Sequence, residues 1–335
     1  MDKKYSVAVI GCGRAGFSYD LDPKRREVFS HIGAYKNSKK VSKIHAVDTS
    51  LEQLSLVKKS HPKIECFKSI DSMFEKNKID ILSICSPPSD RVDIVKKAAH
   101  NNVKAIFCEK PLSSDIIEAK SIVRVCSENN IVLAVNHFRR WDNFHIKIAE
   151  LVRKGYIGNI QNIVVKYNKG ILNTGSHIFD FIRMISGDIK HVRCIGNPTQ
   201  DQKDPSLNIV GKTCNGEDFF LIGSDYNRFR IFEVEILGEK GRISTDNGYK
   251  IIIETVSDSK YNSEFQVLTP EDINIGQGRI GHYEAALENI IGALEKNRKI
   301  LCDGDTALSS LLAAHTCLIS HATGKQIELS ELELV

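Results

Sequence analysis

The sequence predicts an α/β protein: an N-terminal Rossmann domain on a parallel sheet, then a C-terminal α+β domain with a large, mostly antiparallel open sheet. Three observations predict it. Short apolar runs alternate with helical patterns through the first part of the chain. A G-x-G-x-x-G follows the first of those runs. From Ile160 onward, extended runs succeed one another between Gly, Asn and Asp turns. Near-continuous apolar strands alternating with helices form a parallel sheet covered on both faces. Strands in series joined by turn residues form an antiparallel one.

The elements follow in order. Tyr5–Ile10 is an apolar strand, Lys43–Asp48 a second, and Leu51–Ser60 a helix. Ile79–Cys85 is a strand and Asp90–Asn102 a helix with apolar Val92, Val95, Ala98 and Ala99. Lys104–Cys108 is a strand, Ser114–Asn129 a helix and Ile131–Val135 a strand. Asp142–Lys154 reads as a helix broken by Gly155 and Gly158. The later strands are Ile160–Tyr167, His191–Gly196, Leu207–Thr213, Asp218–Ser224, Arg230–Leu237 and Tyr249–Thr255, interrupted by a helix at Ser176–Ile185. Helices Tyr283–Lys296 and Asp305–Thr323 close the chain. The change of rhythm sets the expected domains at 1–137 (dinucleotide-binding) and 138–335 (substrate binding and oligomerisation).

The chain has 335 residues, 41% hydrophobic and 26% charged, which suits two globular domains and excludes disordered, collagen-like and coiled-coil chains. A net charge of +4 without a dense basic stripe gives no case for nucleic acid as a partner. Nine cysteines without C-x-x-C spacing, several inside apolar runs (Cys85, Cys108, Cys194), fit free thiols in a reducing cytoplasm. The opening apolar run is too short for a signal peptide. The uncharged stretch 306–324 carries serines, threonines and two histidines, which fits a buried helix and no membrane. Without H-E-x-x-H, C-x-x-C or a carboxylate cluster at ligand spacing, no catalytic metal is expected.

Gly11-Cys12-Gly13-Arg14-Ala15-Gly16 directly after the first strand is a dinucleotide turn. Its glycines allow the tight bend and close backbone approach to a pyrophosphate at a helix N-terminus. Asp48, closing the second strand, is placed for both ribose hydroxyls, and its charge repels a 2′-phosphate; NAD is therefore expected in preference to NADP. The gap to Asp48 exceeds the usual spacing of about 20 residues. Tyr19–Phe29 reads as an insertion that accounts for the excess. Its charges favour a solvated loop over a flap covering cofactor or substrate.

Three further patterns carry a family resemblance: Ser86-Pro87-Pro88 after Ile79–Cys85, Glu109-Lys110-Pro111 after Lys104–Cys108, and Asn173-Thr174-Gly175-Ser176-His177-Ile178-Phe179-Asp180 opening the helix among the later strands. With Gly11, Gly13 and Gly16 these resemble the Gfo/Idh/MocA family of glucose–fructose oxidoreductase and inositol dehydrogenase-like enzymes, over nearly the whole chain. The resemblance implies a nicotinamide cofactor and a sugar, cyclitol or sugar-nucleotide substrate. Lys110 matches the lysine beside the nicotinamide and the reacting carbinol, Pro111 a proline commonly preceded by a cis peptide, and His177 the histidine facing the reacting hydroxyl. Ser86 and Pro87 match the loop beneath the cofactor, with Glu109 and Lys110 beside it. Two positions depart from the pattern: Asn173 stands where many members have Asp, and Arg91 where many have His.

Oxidising a secondary alcohol removes a hydride from carbon and a proton from oxygen. A partly desolvated lysine near a positive nicotinamide ring favours its neutral form and can act as base. Lys110 and His177 are thus the expected catalytic pair, with Asn173, Arg139 and Tyr283 as further substrate-binding candidates. An Asn at 173 cannot stabilise a protonated His177 as a carboxylate would, which favours Lys110 as principal base. The reading from a different class is a non-catalytic dinucleotide-binding sensor, against which the intact Lys110 and His177 argue. Pairing through the open sheet into a homodimer or homotetramer is also expected.

Overall fold

The computed structural model describes residues 3–333 except 26, 197–202, 225–228, 248–249, 262, 274 and 277. The chain divides into two compact units. One comprises Met1–Asp142 with Arg279–Leu308, the other Asn143–Gly278 with Ser309–Val335. A single cut at 137/138 therefore does not describe the chain. The helix His282–Lys296 belongs to the first unit because it packs on that unit's sheet and first helix.

Among the described residues, the first unit carries six parallel strands: β1 (Tyr5–Ile10), β2 (Val41–Val47), β3 (Glu65–Phe67), β4 (Ile81–Ile84), β5 (Ala105–Cys108) and β6 (Val132–Val135). Their order is β3-β2-β1-β4-β5-β6. Strands β1, β4 and β5 are almost wholly buried, as apolar runs such as Ile81–Ile84 require when helices cover both faces. The order reverses between β1 and β4, and such a reversal opens a crevice at the carboxyl ends of the strands.

The second unit carries β7 (Ile160–Tyr167), β8 (Ile189–Cys194), β9 (Ile209–Thr213), β10 (Asp218–Gly223), β11 (Phe232–Gly238), β12 (Gly241–Asp246), β13 (Lys250–Asp258), β14 (Gln266–Glu271) and β15 (Gln326–Glu328). Their order is β14-β13-β12-β11-β7-β10-β9-β8-β15, antiparallel except for β7 with β10. Alternation places Ile163, Val165, Phe219, Leu221, Val234 and Ile236 inward. They pack with Phe144, Ile148, Phe179, Phe181 and Cys317 from helices Asn143–Arg153, Ser176–Ser186 and Gly304–Thr323.

The expected strands and helices form with ends shifted by a few residues. Strands β3, β12, β14 and β15 carry too little apolar alternation to be read from sequence. The expected strand start at Tyr249 lies outside the described residues; β13 is described from Lys250. Among the described residues, no helix is long and apolar enough to cross a membrane.

Candidate functional site

The dinucleotide turn sits where β1 meets the end of β4. Gly11 has φ +87°, and a Cβ there would lie 2.8 Å from the Cys85 carbonyl carbon and the Ser86 nitrogen. A Cβ on Gly16 would lie 2.0 Å from the Gly11 oxygen. A Cβ on Gly13 meets nothing within 4 Å, so its backbone faces open space. Tight bend, helix contact and open approach are the three glycine roles of a dinucleotide turn. Arg14 is exposed and Ala15 half-buried on the same turn. Asp48, just past β2, accepts from Cys12 N at 2.6 Å through Oδ2 and from Ser50 N at 2.8 Å through Oδ1. A carboxylate accepts about four hydrogen bonds, so capacity for two hydroxyls remains.

The helix that should follow Gly16 is interrupted. Phe17 N bonds Gly13 O, and Tyr19 N bonds Arg14 O. The chain then leaves and returns so that His31 N bonds Ala15 O and Ile32 N bonds Gly16 O. His31 thus stands where residue 19 of an unbroken helix would stand, and twelve residues have been let into the helix. Gly16 and Asp48 are 32 positions apart in the chain; without those twelve the gap is 20. The inserted segment has exposed charges at Asp22, Lys24 and Glu27, but both ends are built in. Asp20 accepts from Phe29 N at 2.7 Å and Ser30 Oγ at 2.5 Å. Arg25 lies over the Tyr19 and Phe29 rings, and Phe29 meets the His282 ring edge-on at 5.6 Å.

Glu109, Lys110 and Pro111 leave the end of β5, and the Lys110–Pro111 peptide is cis. Glu109 Oε1 accepts from His31 Nε2 at 3.1 Å, Asn136 Nδ2 at 2.7 Å and Tyr283 OH at 3.3 Å. Behind them, His31 Nδ1 pairs with Ser83 Oγ at 2.7 Å, which pairs with Tyr35 OH at 2.7 Å. Burial alone would raise the Glu109 carboxyl. The hydrogen bonds and charge of His31, the Asn136 amide and the Arg91 guanidinium outweigh it and hold it near pKa 2. Arg91, buried at the start of helix Arg91–His100, donates to the carbonyls of Glu109, Pro111 and Ser86.

In the second unit, His177 lies at the start of helix Ser176–Ser186, half-buried, and Asp180 is buried one turn on. A wide turn, Gly170–Gly175, precedes it and leaves Asn173 exposed. Asp204 accepts from Leu172 N at 2.7 Å and Asn173 N at 3.0 Å. Gly170 has φ +80°, and a Cβ there would strike the Asp204 carboxylate. This turn thus has a carboxylate contributed by a distant segment.

Of the site residues expected from sequence, Gly11, Gly13, Arg14, Ala15, Gly16, Asp48, Ser86, Pro87, Glu109 and Lys110 all fall at the carboxyl edge of the first sheet. Tyr283 is buried against Glu109, and buried Arg139 lies over the Phe138 ring after β6. Neither offers a surface side chain in its own unit. His31, Ser83, Asn136 and Asp204 were missed, and Arg91 was noted only as a departure from the family pattern, without its bonds to the turn after β5. Ser83 and Asn136 were visible as lone polar residues within or just after apolar strands; the insertion hid His31.

Ser86 Oγ and Asn136 Oδ1 are buried with no partner among the described residues, at the ends of β4 and β6. With the open face of Gly13 and the carboxylate of Asp48, these residues would suit a dinucleotide held at this edge of the sheet. Fold and site define a dinucleotide-binding oxidoreductase. Residues 5–137 match the model of the Gfo/Idh/MocA oxidoreductase family, an NAD-binding Rossmann fold. It is 24% identical over 286 residues to inositol 2-dehydrogenase of Rhizobium meliloti, covering 78% of this chain and 84% of that one. It is 24% identical over 269 residues to myo-inositol 2-dehydrogenase of Thermotoga maritima, covering 72% and 75%. An Agrobacterium radiobacter oxidoreductase, solved with NAD+, L-tartaric acid and magnesium, superposes at TM-score 0.77 over 98% of this chain and 100% of that one, at 18% identity.

Proposed function

We propose that this oxidoreductase uses NAD to interconvert a secondary alcohol and a ketone on a cyclitol, sugar or sugar nucleotide, with Lys110 exchanging the substrate proton and His177 positioning the hydroxyl. The observation that carries the reading is Lys110 at the end of β5, on the same strand edge as the Gly11 turn and Asp48. The inositol dehydrogenase relatives support the substrate class.

A bound nicotinamide accepts or returns the hydride. Asp48 takes the ribose hydroxyls with the acceptor sites that Cys12 N and Ser50 N leave open, and its charge disfavours a 2′-phosphate. Glu109 stays ionised and turned toward His31, Asn136 and Tyr283, which leaves the neighbouring Lys110 as the base at this turn. Exposed Asn173 hydrogen-bonds substrate without charging His177. Chain pairing through the open sheet, in a cytoplasmic setting, completes the proposal.

The test is NADH formation with myo-inositol, D-glucose and UDP-N-acetylglucosamine, alongside NADH and NADPH fluorescence titrations. NADH should bind tighter than NADPH. Lys110→Met should hold NADH affinity within a few-fold while lowering turnover by about 10²–10⁴, the span of one acid–base group. Near wild-type turnover in that variant would remove Lys110 from the reaction.

A further inference from the structure

We propose that Arg91 is the positioning residue for Lys110: its guanidinium grips the backbone on both sides of the lysine and supplies a fixed positive charge beside it. This rests on the reading of Lys110 as the proton-exchanging group. Nη1 donates to the carbonyls of Glu109 and Pro111, the residues flanking Lys110. Nε and Nη2 donate to Ser86 O at 3.2 and 2.9 Å. One side chain therefore ties the turn after β5 to the turn after β4, whose Ser86 nitrogen borders Gly11.

Only arginine presents a rigid fork of five donors with a charge that persists at every working pH. A histidine at this position would offer two donors at most and would titrate near neutrality. Arg91 is 3% exposed, so its charge is not screened by water. Glu109 supplies the balancing anion. Among the described residues, the ionisable groups facing this turn include Glu109 just past β5, Cys108 on β5, Cys85 after β4, His31 on the helix His31–Asn37, and Tyr283 on the helix His282–Lys296. Both thiols and the phenol are raised above their ordinary values, chiefly by burial, and stay neutral. Arg91 is the permanent cation among these groups.

The test uses Arg91→Gln, which keeps donors and removes the charge, and Arg91→Lys, which keeps the charge and removes the fork. The lysines are ¹³C-methylated reductively, and the Lys110 signal is identified by its loss in Lys110→Arg. In Arg91→Gln the Lys110 signal should titrate higher by at least about half a pH unit, because losing a nearby cation favours the ammonium. In Arg91→Lys the midpoint should stay, while the signal moves toward the shift of a freely rotating lysine. NADH affinity should hold within a few-fold in both. An unchanged Lys110 signal in Arg91→Lys overturns the positioning role, and an unchanged midpoint in Arg91→Gln overturns the charge role. If Arg91→Gln does not fold, Arg91→Met at the same position supplies the charge arm and Arg91→Lys still decides the grip. The readout needs no substrate. A wild type inactive on every polyol would defeat the functional reading and leave this result standing.

Discussion

His282 shows how a single residue couples the inserted segment to pH. Its ring lies among those of Phe29, Phe138 and Tyr283, and its Nδ1 is buried with no partner among the described residues. Burial, helped by the charge of Arg279 and opposed by Asp142 and Glu109, lowers its pKa to about 4. The unfolded chain then takes up a proton near pH 6.5 that the folded chain refuses until about pH 4. The stability held by the neutral ring is complete above pH 6.5 and drains away as pH falls through that window. It amounts to something on the order of 3 kcal/mol. His282→Phe keeps an aromatic ring and removes the titration. Urea unfolding should therefore show a steeper loss between pH 6.5 and 4 in the wild type than in the variant, which keeps only the smaller share from His45 and His61; equal slopes would refute it. Glu109 titrates in a lower window. Its carboxylate contributes above about pH 4.5, and that contribution is lost toward pH 2.

At the scale of one element, the first helix of the Rossmann unit is a helix with a segment let into it. The hydrogen bonds from His31 N to Ala15 O and from Ile32 N to Gly16 O already join the two halves across the segment. Removing residues 19–30 and linking Ser18 to His31 should leave a continuous helix with His31 still against Glu109. The excised protein should keep its circular dichroism and bind NADH. Its melting temperature should fall by several degrees, because the Phe29–His282 contact and the Asp20 bonds are lost, together about 1–2 kcal/mol. Loss of NADH binding with an intact fold would show that the segment itself holds the dinucleotide.

At the scale of the whole molecule, the outward face of the second sheet is mixed. Phe220, Ile222, Ile252 and Val256 are 37–54% exposed on it. Between them run Lys166–Glu233 at 3.7 Å and Arg242 with Glu235 and Glu254 at 3.4 and 2.6 Å. Apolar side chains set among cross-strand ion pairs suit a self-complementary contact between two copies. Light scattering should show a dimer or tetramer, and Phe220→Glu combined with Ile222→Lys should shift it to monomer. A monomeric wild type would end this expectation.

The local signals in the sequence determined much of this protein. Apolar runs such as Ile81–Ile84 and Ala105–Cys108, set between helical patterns, read as strands buried on both faces, and glycines at 11 and 16 are demanded by close backbone approach, while Gly13 leaves its side open. The Rossmann half, its cofactor turn and the Glu109-Lys110-Pro111 turn were legible for that reason. Tertiary structure alone decided which distant residues complete them. It returned helix His282–Lys296 to the first unit, so that Tyr283 reaches Glu109. It brought His31 into register across a twelve-residue insertion, set Asp204 under the turn before His177, and closed Arg91 around the turn that carries Lys110. A buried polar group needs partners, but it does not prescribe how far along the chain they lie.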